Sequence, residues 1–403
     1  MLKSLILNRS PPKTFPIKRY FSLLNEDEIM LQQMVSRFSN DFIKPKVREM
    51  DDKCRLDSVL LNELFENGLM GIEIPIEYGG SGMNFVSSCL AIEEIAKIDP
   101  SVAVMVDVQN TLLNNLLGFW GNEKQKSKYF PQLACNKVAS FCLSENSAGS
   151  DAFSLTTSAK LSEDKSFYTI NGEKMWISNA EQAEIFFVFA NVDKSLGYKG
   201  ITCFIVEKEL ESGIVIGPKE EKLGIRASST CPVSFVDCKV PVENVLGEIG
   251  QGYKYAIDIL NEGRIGIGAQ MVGLSTGCLE HVMPYLFERV QFGKKIGDFQ
   301  AVEHQYAQMA TEIEAARSLI YHAARLKESG KPFIKEAAMG KLFSSQVANK
   351  TASLCVELLG GVGYTKAFLA EKYYRDCKIG AIYEGTSNIQ LNTIAKMVKS
   401  QFI

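Results

Sequence analysis

Histidine is scarce in this chain of 403 residues: His281, His304 and His322 are all there are. None stands in a ligand spacing such as H-E-x-x-H, which disfavours imidazole-based metal sites and a Ser-His-Asp triad. A surplus of positive charge is also missing. With 44 basic and 47 acidic residues the formal charge is -3, so little is left to displace counterions from nucleic acid, and DNA and RNA are not expected partners. No stretch comes near the roughly 18 consecutive apolar residues of a membrane-spanning helix; Ile185 to Ala190 is far too short. The cysteines (Cys54, Cys89, Cys135, Cys142, Cys203, Cys231, Cys238, Cys278, Cys355 and Cys377) form no C-x-x-C pair and read as reduced thiols, several of them buried. Two nucleotide fingerprints are absent as well: no G-x-G-x-x-G follows a strand, and no G-x-x-x-x-G-K-S/T occurs.

What is present is ordinary globular material. A content of 46% hydrophobic and 23% charged residues suits a large core, and the length suits two to four folding units. Met1 to Leu24 carries Lys3, Arg9, Lys13, Lys18 and Arg19, several serines and no acid, the composition of a mitochondrial transit peptide with a cut after Phe21. Residues 22–137 read as a helical domain. Asn25 and Glu28 have the form of a capping box ahead of Leu31, Met34, Val35, Phe38 and Phe42, and helical spacing recurs over 58–67, 83–98 and 101–117. Residues 138–247 read as a β domain, with Phe167–Ile170, an Asn171-Gly172 type I′ turn and Met175–Ile177 as a hairpin. Further strands are expected over 185–190, 201–206, 214–216 and 233–236. Because these strands adjoin turns, an antiparallel, barrel-like sheet is expected. Residues 248–403 are helical again: Val302, Tyr306, Met309, Ile313, Ala316, Ile320 and Ala323 form the seam of a four-helix bundle. The predicted class is thus a multidomain α+β protein of helical, β and helical parts.

Three segments are too rich in glycine and small polar residues for plain core. The first is Phe141, Cys142, Leu143, Ser144, Glu145, Asn146, Ser147, Ala148, Gly149 and Ser150, a loop whose amides and hydroxyls suit a flavin edge or a phosphate. The second is Trp176, Ile177 and Ser178, an aromatic beside a hydroxyl, which on its own also fits hairpin packing. The third is Tyr383, Glu384, Gly385, Thr386, Ser387 and Asn388, which alone reads as a helix N-terminus capped by Thr386 or Ser387.

Taken together, and with Asn261-Glu-Gly-Arg264, Tyr198-Lys-Gly-Ile-Thr202 and Arg226-Ala-Ser-Ser-Thr-Cys231, these segments stand in the order found in the acyl-CoA dehydrogenases. The chain resembles that family along nearly its whole length after the leader, above all its short/branched-chain branch. The resemblance implies FAD held by residues 141–150 and by Trp176, Ile177 and Ser178. It further implies contacts to FAD from Arg289 and Gln300, from Glu357, Leu358, Leu359, Gly360 and Gly361, and from Thr386, Ser387 and Asn388, some reaching across to a neighbouring subunit of a homotetramer. Glu357 to Gly361 lacks the bulkier aromatic often found before the glycines, so there the backbone is expected to make the contact. Ser150, Tyr198, Tyr253, Asn261, Glu262, Gly263, Arg264 and Gly385 are the expected acyl-CoA contacts, and no metal is implied.

The same resemblance makes Glu384 the base that takes the α proton of the thioester, flavin N5 the hydride acceptor, and electron-transfer flavoprotein the next electron carrier, in the mitochondrial matrix. A buried carboxylate has the raised pKa that such a base needs. In some relatives the base comes instead from the earlier helix, at the position before the arginine. Here that position is Gly263, and Glu262, about 100° around the helix, is expected to point elsewhere. The substrate expected is a short 2-methyl-branched acyl-CoA, with isobutyryl or straight short chains as the alternative preference. An acyl-CoA oxidase, or a non-catalytic acyl-CoA-binding subunit on the same scaffold, are the competing readings.

Overall fold

Asn25 and Glu28 form the reciprocal cap their spacing predicts. The Asn25 side chain accepts from the Glu28 amide, and the Glu28 carboxylate accepts from the Asn25 amide, each at 2.9 Å. This starts α1 (Glu26–Phe38) in a computed structural model that describes residues 24–208 and 213–403. The leader predicted over residues 1–21 lies outside the described residues. Then follow α2 (Val47–Lys53), α3 (Ser58–Glu66), α4 (Phe85–Ala96) and α5 (Pro100–Asp107), the last three capped by Asp57, Asn84 and Asp99. The helix expected to run on to residue 117 does so, reaching Trp120, but not as a regular α-helix throughout. After Asp107 the chain widens into a π turn (Val108–Asn114) before α6 (Asn115–Trp120) and α7 (Glu123–Cys135).

Buried amides explain the π turn. Asn110 donates to the Leu69 carbonyl at 2.8 Å, Asn114 donates to the Met70 carbonyl at 2.9 Å, and Gln109 accepts from the Ala139 amide at 3.0 Å. Polar side chains that must each find a partner inside the core compete with a regular α-helical path.

The β part comprises β1 (Val138–Cys142), β2 (Ser158–Leu161), β3 (Phe167–Ser178), β4 (Ala183–Asn191), β5 (Ile201–Glu207), β6 (Ile214–Ile216), β7 (Thr230–Pro241) and β8 (Val245–Leu246). Neighbours run β6-β7-β3-β2-β4-β5-β8, and β1 pairs with β4. Two expectations are corrected here. The sheet is mixed rather than antiparallel, because β4 pairs in parallel with both β1 and β2, and its pairings do not close into a barrel. The segment read as a hairpin is one continuous strand, β3, paired with β7. Asn171-Gly172 falls at a bulge instead of a turn: the Asn171 side chain bonds Asp237 across the ladder at 3.1 Å and accepts from its amide at 2.8 Å.

The last part is built on α8 (Gly252–Glu288), α9 (Gln300–Glu328) and α10 (Ile334–Leu359), with the shorter α11 (Ala370–Asp376) and α12 (Ser387–Lys399). The expected seam lies on α9, fully buried from Met309 to Ala323. Helix α8 is the axis of the molecule, in contact with α4, α5, the π turn, α9 and α10. Its Gly273 permits the close approach to α4, since a Cβ there would collide with the Glu93 carbonyl oxygen and the Ala96 methyl. Gly273→Ala is therefore expected to cost about 1–3 kcal/mol through overpacking and to lower the thermal unfolding midpoint. An unchanged midpoint would show that the two helices can part without penalty.

Candidate active site

Glu384 sits in the turn between α11 and α12, and its backbone is left-handed (φ 52°), as is that of Gly385 (φ 86°). For glutamate this conformation is uncommon and carries strain. The turn is held from two sides. Lys341 on α10 donates to the Gly385 carbonyl at 2.7 Å, while Gln390 on α12 donates to the carbonyls of Glu384 and Gly385 at 3.0 and 2.8 Å.

The side chain is consequently aimed at α8. A Cβ placed on Gly263 would lie 2.8 Å from Glu384 Oε2 and 2.8 Å from Leu112 Cδ2, so the missing side chain is what admits the carboxylate. Oε2 is shut off from solvent and has no hydrogen-bond partner. Burial pushes the Glu384 carboxyl up to about 7, against the opposing pull of the Lys341 and Arg264 cations. Two further groups face it. Asp107, bonded to the Thr111 hydroxyl at 2.8 Å, is driven well above the carboxylate range by burial and by the Glu384 charge. The Tyr383 hydroxyl, raised by burial, bonds to Gln270.

Glu262, next to Gly263 on α8, points elsewhere as expected. It accepts from Asn115 at 2.8 Å and pairs with Lys327 at 3.3 Å, and Lys327 also reaches Glu73 at 3.5 Å. Its carboxyl is likewise pushed up to about 7, mainly by burial. Arg264 bonds the Asn261 side chain at 2.8 Å, and its Nε is buried without a partner.

The loop 141–150 and the segment 176–178 lie side by side. The Met175 amide donates to the Ser144 carbonyl at 2.9 Å, and the Ser140 hydroxyl donates to the Ser178 carbonyl at 2.8 Å. A register shift between Lys174 and Ile177 puts Trp176 at φ 64° and leaves it 56% exposed, a large aromatic set on the surface by its own backbone. Ser144, Asn146, Ser147, Gly149 and Ser150 are open or partly so. By contrast, the side chains of Cys142, Leu143, Glu145, Ala148 and Ile177 are turned inward. Glu145 in particular accepts from the amides and hydroxyls of Thr156 and Thr157 and pairs with buried Lys174 at 2.9 Å, while Lys174 also donates to the Leu143 carbonyl. Expected as a cofactor ligand, the Glu145 side chain instead braces the loop from within, and its backbone N–H and C=O are exchanged with those of Ala148 at 3.1 Å.

Of the remaining expected residues, Thr386 caps α12 by accepting from the Ile389 amide at 3.4 Å, with Ser387 and Asn388 in the first turn. Tyr198 and Tyr253 meet edge to face with ring centroids 4.9 Å apart. Arg289, Gln300, Glu357, Gly360 and Gly361 are exposed, whereas the Leu358 and Leu359 side chains are buried in the helical core, as their place on the apolar face of α10 requires. Arg289 is about 25 residues beyond Arg264 along α8, on the order of 38 Å away at ~1.5 Å per residue. Glu357 is likewise 16 residues beyond Lys341 along α10, roughly 24 Å at ~1.5 Å per residue, so within one chain Arg289 and residues 357–361 do not gather around Glu384. Sequence reasoning missed Lys341 and Asp107, both fully buried; the one signal for them was a charge on the apolar face of a helix.

Three family models match the chain: "Acyl-CoA dehydrogenase, N-terminal domain" over residues 25–137, "middle domain" over 140–238 and "C-terminal domain" over 250–399. The short/branched chain specific acyl-CoA dehydrogenase, mitochondrial, of Rattus norvegicus is 55% identical over 377 residues, covering 94% of this chain and 87% of its own length. Among solved structures, butyryl-CoA dehydrogenase from Megasphaera elsdenii superposes with a TM-score of 0.91 at 39% identity, covering 93% of this chain and 99% of that one. An acyl-CoA dehydrogenase from Bacillus anthracis complexed with FAD gives 0.88 at 32% identity, covering 95% and 68%.

The internal brace is open to test. Lys174→Met leaves the Glu145 carboxylate buried without its cation, at a cost of about 3–5 kcal/mol. The expected result is a lower unfolding midpoint together with faster amide exchange in residues 141–150. Wild-type exchange in that loop would mean that the ion pair does not hold it.

Proposed function

Because the chain belongs to the acyl-CoA dehydrogenase family, we propose that its substrate is a short, 2-methyl-branched acyl-CoA and that Glu384 removes the α proton. It is an FAD-dependent acyl-CoA dehydrogenase with a short/branched-chain preference. The observation that carries the assignment of the base is the Glu384 carboxylate, buried opposite Gly263 with a free Oε2 and a pKa near neutrality. Such a group can accept a proton near neutral pH and release it again.

The chain's residues fit FAD. Trp176 offers an exposed aromatic face beside the loop, Gly149 stands with open space where a Cβ would be, and Thr386 begins a helix whose first amides suit an anion. Residues 144–150 and 176–178 would hold it, together with Thr386, Ser387 and Asn388. When bound, FAD supplies the two-electron acceptor for the hydrogen that leaves Cβ. The Glu384 amide is offered to the thioester carbonyl as a donor that stabilises developing negative charge. Gly385 carries no side chain to obstruct the acyl group. Ser150, the Tyr198–Tyr253 pair, Asn261 and Arg264 are assigned to the CoA portion and to the wall of the pocket.

Arg289, Gln300 and residues 357–361 are assigned to FAD of a neighbouring copy, a reading supported by their distance from Glu384 along α8 and α10. That assignment requires at least two copies of the chain, and a homotetramer is proposed. Electron-transfer flavoprotein is proposed as the acceptor that reoxidises the flavin, and the mitochondrial matrix as the compartment, supported by the name of the Rattus norvegicus relative.

Glu384→Gln should retain FAD and bind acyl-CoA yet lose about 10² to 10⁴-fold in turnover. The pH profile separates it from Glu262. In the wild-type protein kcat/KM should rise about tenfold per pH unit up to a bend near 7, because the ionised carboxylate is the active form. Glu262→Gln should keep that bend although Glu262 also titrates near 7. Near-normal turnover of Glu384→Gln, or loss of the bend in Glu262→Gln, would move the base away from Glu384. For the compartment, residues 1–21 fused to a fluorescent protein should carry it into mitochondria; a cytosolic signal would overturn the transit-peptide reading.

A further inference from the structure

Lys341 is an unusual residue for the middle of a helix bundle. It is completely buried, on the face of α10 that also carries Ala337, Ala338, Ser344, Ser345 and Ala348. A buried ammonium is expected to sit against a carboxylate. Lys341 does not: among the described residues its Nζ has one hydrogen bond, to the Gly385 carbonyl, and it forms no ion pair within 4.0 Å. The carboxylate that its charge does feel is Glu384, whose Oε2 is itself unbonded. Base and cation are thus neighbours that are kept from touching, each buried and each tied to the same turn.

We infer that Lys341 is a positioning residue for the dehydrogenation: through the Gly385 carbonyl it fixes the left-handed turn that aims Glu384 over Gly263, and its charge keeps that carboxylate ionisable without occupying it. The inference rests on Glu384 being the base. Direct pairing would use up the lone pair that has to take the proton, whereas no cation at all would leave a desolvated carboxyl protonated through the physiological range. Anchoring the ammonium one residue further on avoids both outcomes. Ser345 reinforces the arrangement, since its hydroxyl lies 2.7 Å from both the Lys341 and the Gly380 carbonyl oxygens and so joins α10 to the segment leading into the turn.

The supporting electrostatics can be named group by group. Arg264 on α8 is the other cation facing Glu384; Asp107 on α5 and Tyr383 in the turn face it from the remaining sides, and burial, aided by the Glu384 charge, raises the Asp107 carboxyl and the Tyr383 hydroxyl well above their ordinary ranges. Lys341 is itself pulled down to about 8 by burial, opposed by the Glu384 charge. The two groups therefore sustain each other's charged forms.

Two substitutions divide the roles. Lys341→Met removes both charge and donor; Lys341→Gln removes the charge and keeps an amide donor for the Gly385 carbonyl. Each is prepared with FAD, and kcat and kcat/KM for 2-methylbutyryl-CoA are followed from pH 5.5 to 9 with flavin content measured. Both variants should show the acid limb of kcat/KM moved to higher pH by about one unit, roughly a tenfold loss at pH 6 that is largely regained at pH 8.5. Lys341→Met should in addition lose kcat at every pH, because the turn is no longer fixed, and Lys341→Gln should recover most of that loss. An acid limb unmoved in flavin-loaded Lys341→Gln would overturn the electrostatic part. Equal kcat in Met and Gln variants, or failure of the Gln variant to fold with flavin, would overturn the turn-fixing part. Glu384→Gln in the same series keeps the two readings apart. If it stays active the base is elsewhere and the inference falls with it; if it is dead while the Lys341 variants behave as wild type, only the role of Lys341 is lost.

Discussion

As the proposed proton acceptor, Glu384 has to be shielded without being satisfied. Water or a hydrogen-bond donor at the Glu384 carboxylate would lower its pKa and block its lone pair, while an apolar wall on every side would hold it protonated. The fold meets this constraint by bringing four elements to one point. The π turn supplies Leu112, α8 supplies a position without a side chain and a cation, α10 supplies a second cation, and the turn before α12 presents the acid. The extensive apolar packing of the surrounding helices offsets the cost of keeping one polar atom without a partner.

Glu262 makes an instructive contrast. It sits beside Gly263, is itself buried, and has a carboxyl pushed up into the same range, yet its oxygen is engaged by Asn115 and Lys327. Equal acidity thus arises from opposite circumstances: one carboxylate is held in a network, the other is left free. Only the second can exchange a proton with a substrate without first breaking a bond to the protein. A perturbed titration marks an unusual environment, and it is the geometry that separates structural from reactive groups.

The sequence was most legible where function is written in local chemistry. The capping box at Asn25, the seam on α9 and the Tyr383-Glu384-Gly385 segment all rely on neighbours in the chain, and each lies where its spacing implied. The order of helical, β and helical parts was legible for the same reason. Strand pairing was not. Whether β4 accepts β1 in parallel depends on which residues meet across the fold, and an Asn-Gly dipeptide is as good at a bulge as at a turn when a long partner such as β7 lies alongside. The brace formed by Glu145 and Lys174 was hidden because a carboxylate in a polar loop looks the same whether it faces outward or inward. Lys341 was hidden because nothing nearby in the chain accounts for it; its reason is 43 residues away, at Glu384.

The π turn has a consequence for how such a molecule can vary. Its wider ladder holds one residue more than an α-helix of the same rise, so α6 is rotated relative to α5 by about 100°. Deleting a single residue there would restore the tighter ladder and exchange, in one step, the whole set of side chains facing α8. Leu112 would leave Gly263 and Asn115 would leave Glu262, while no atom of Glu384 itself had changed. Length changes in this one turn would therefore act on the neighbourhood of the acid as point substitutions act elsewhere, recutting its inner surface all at once.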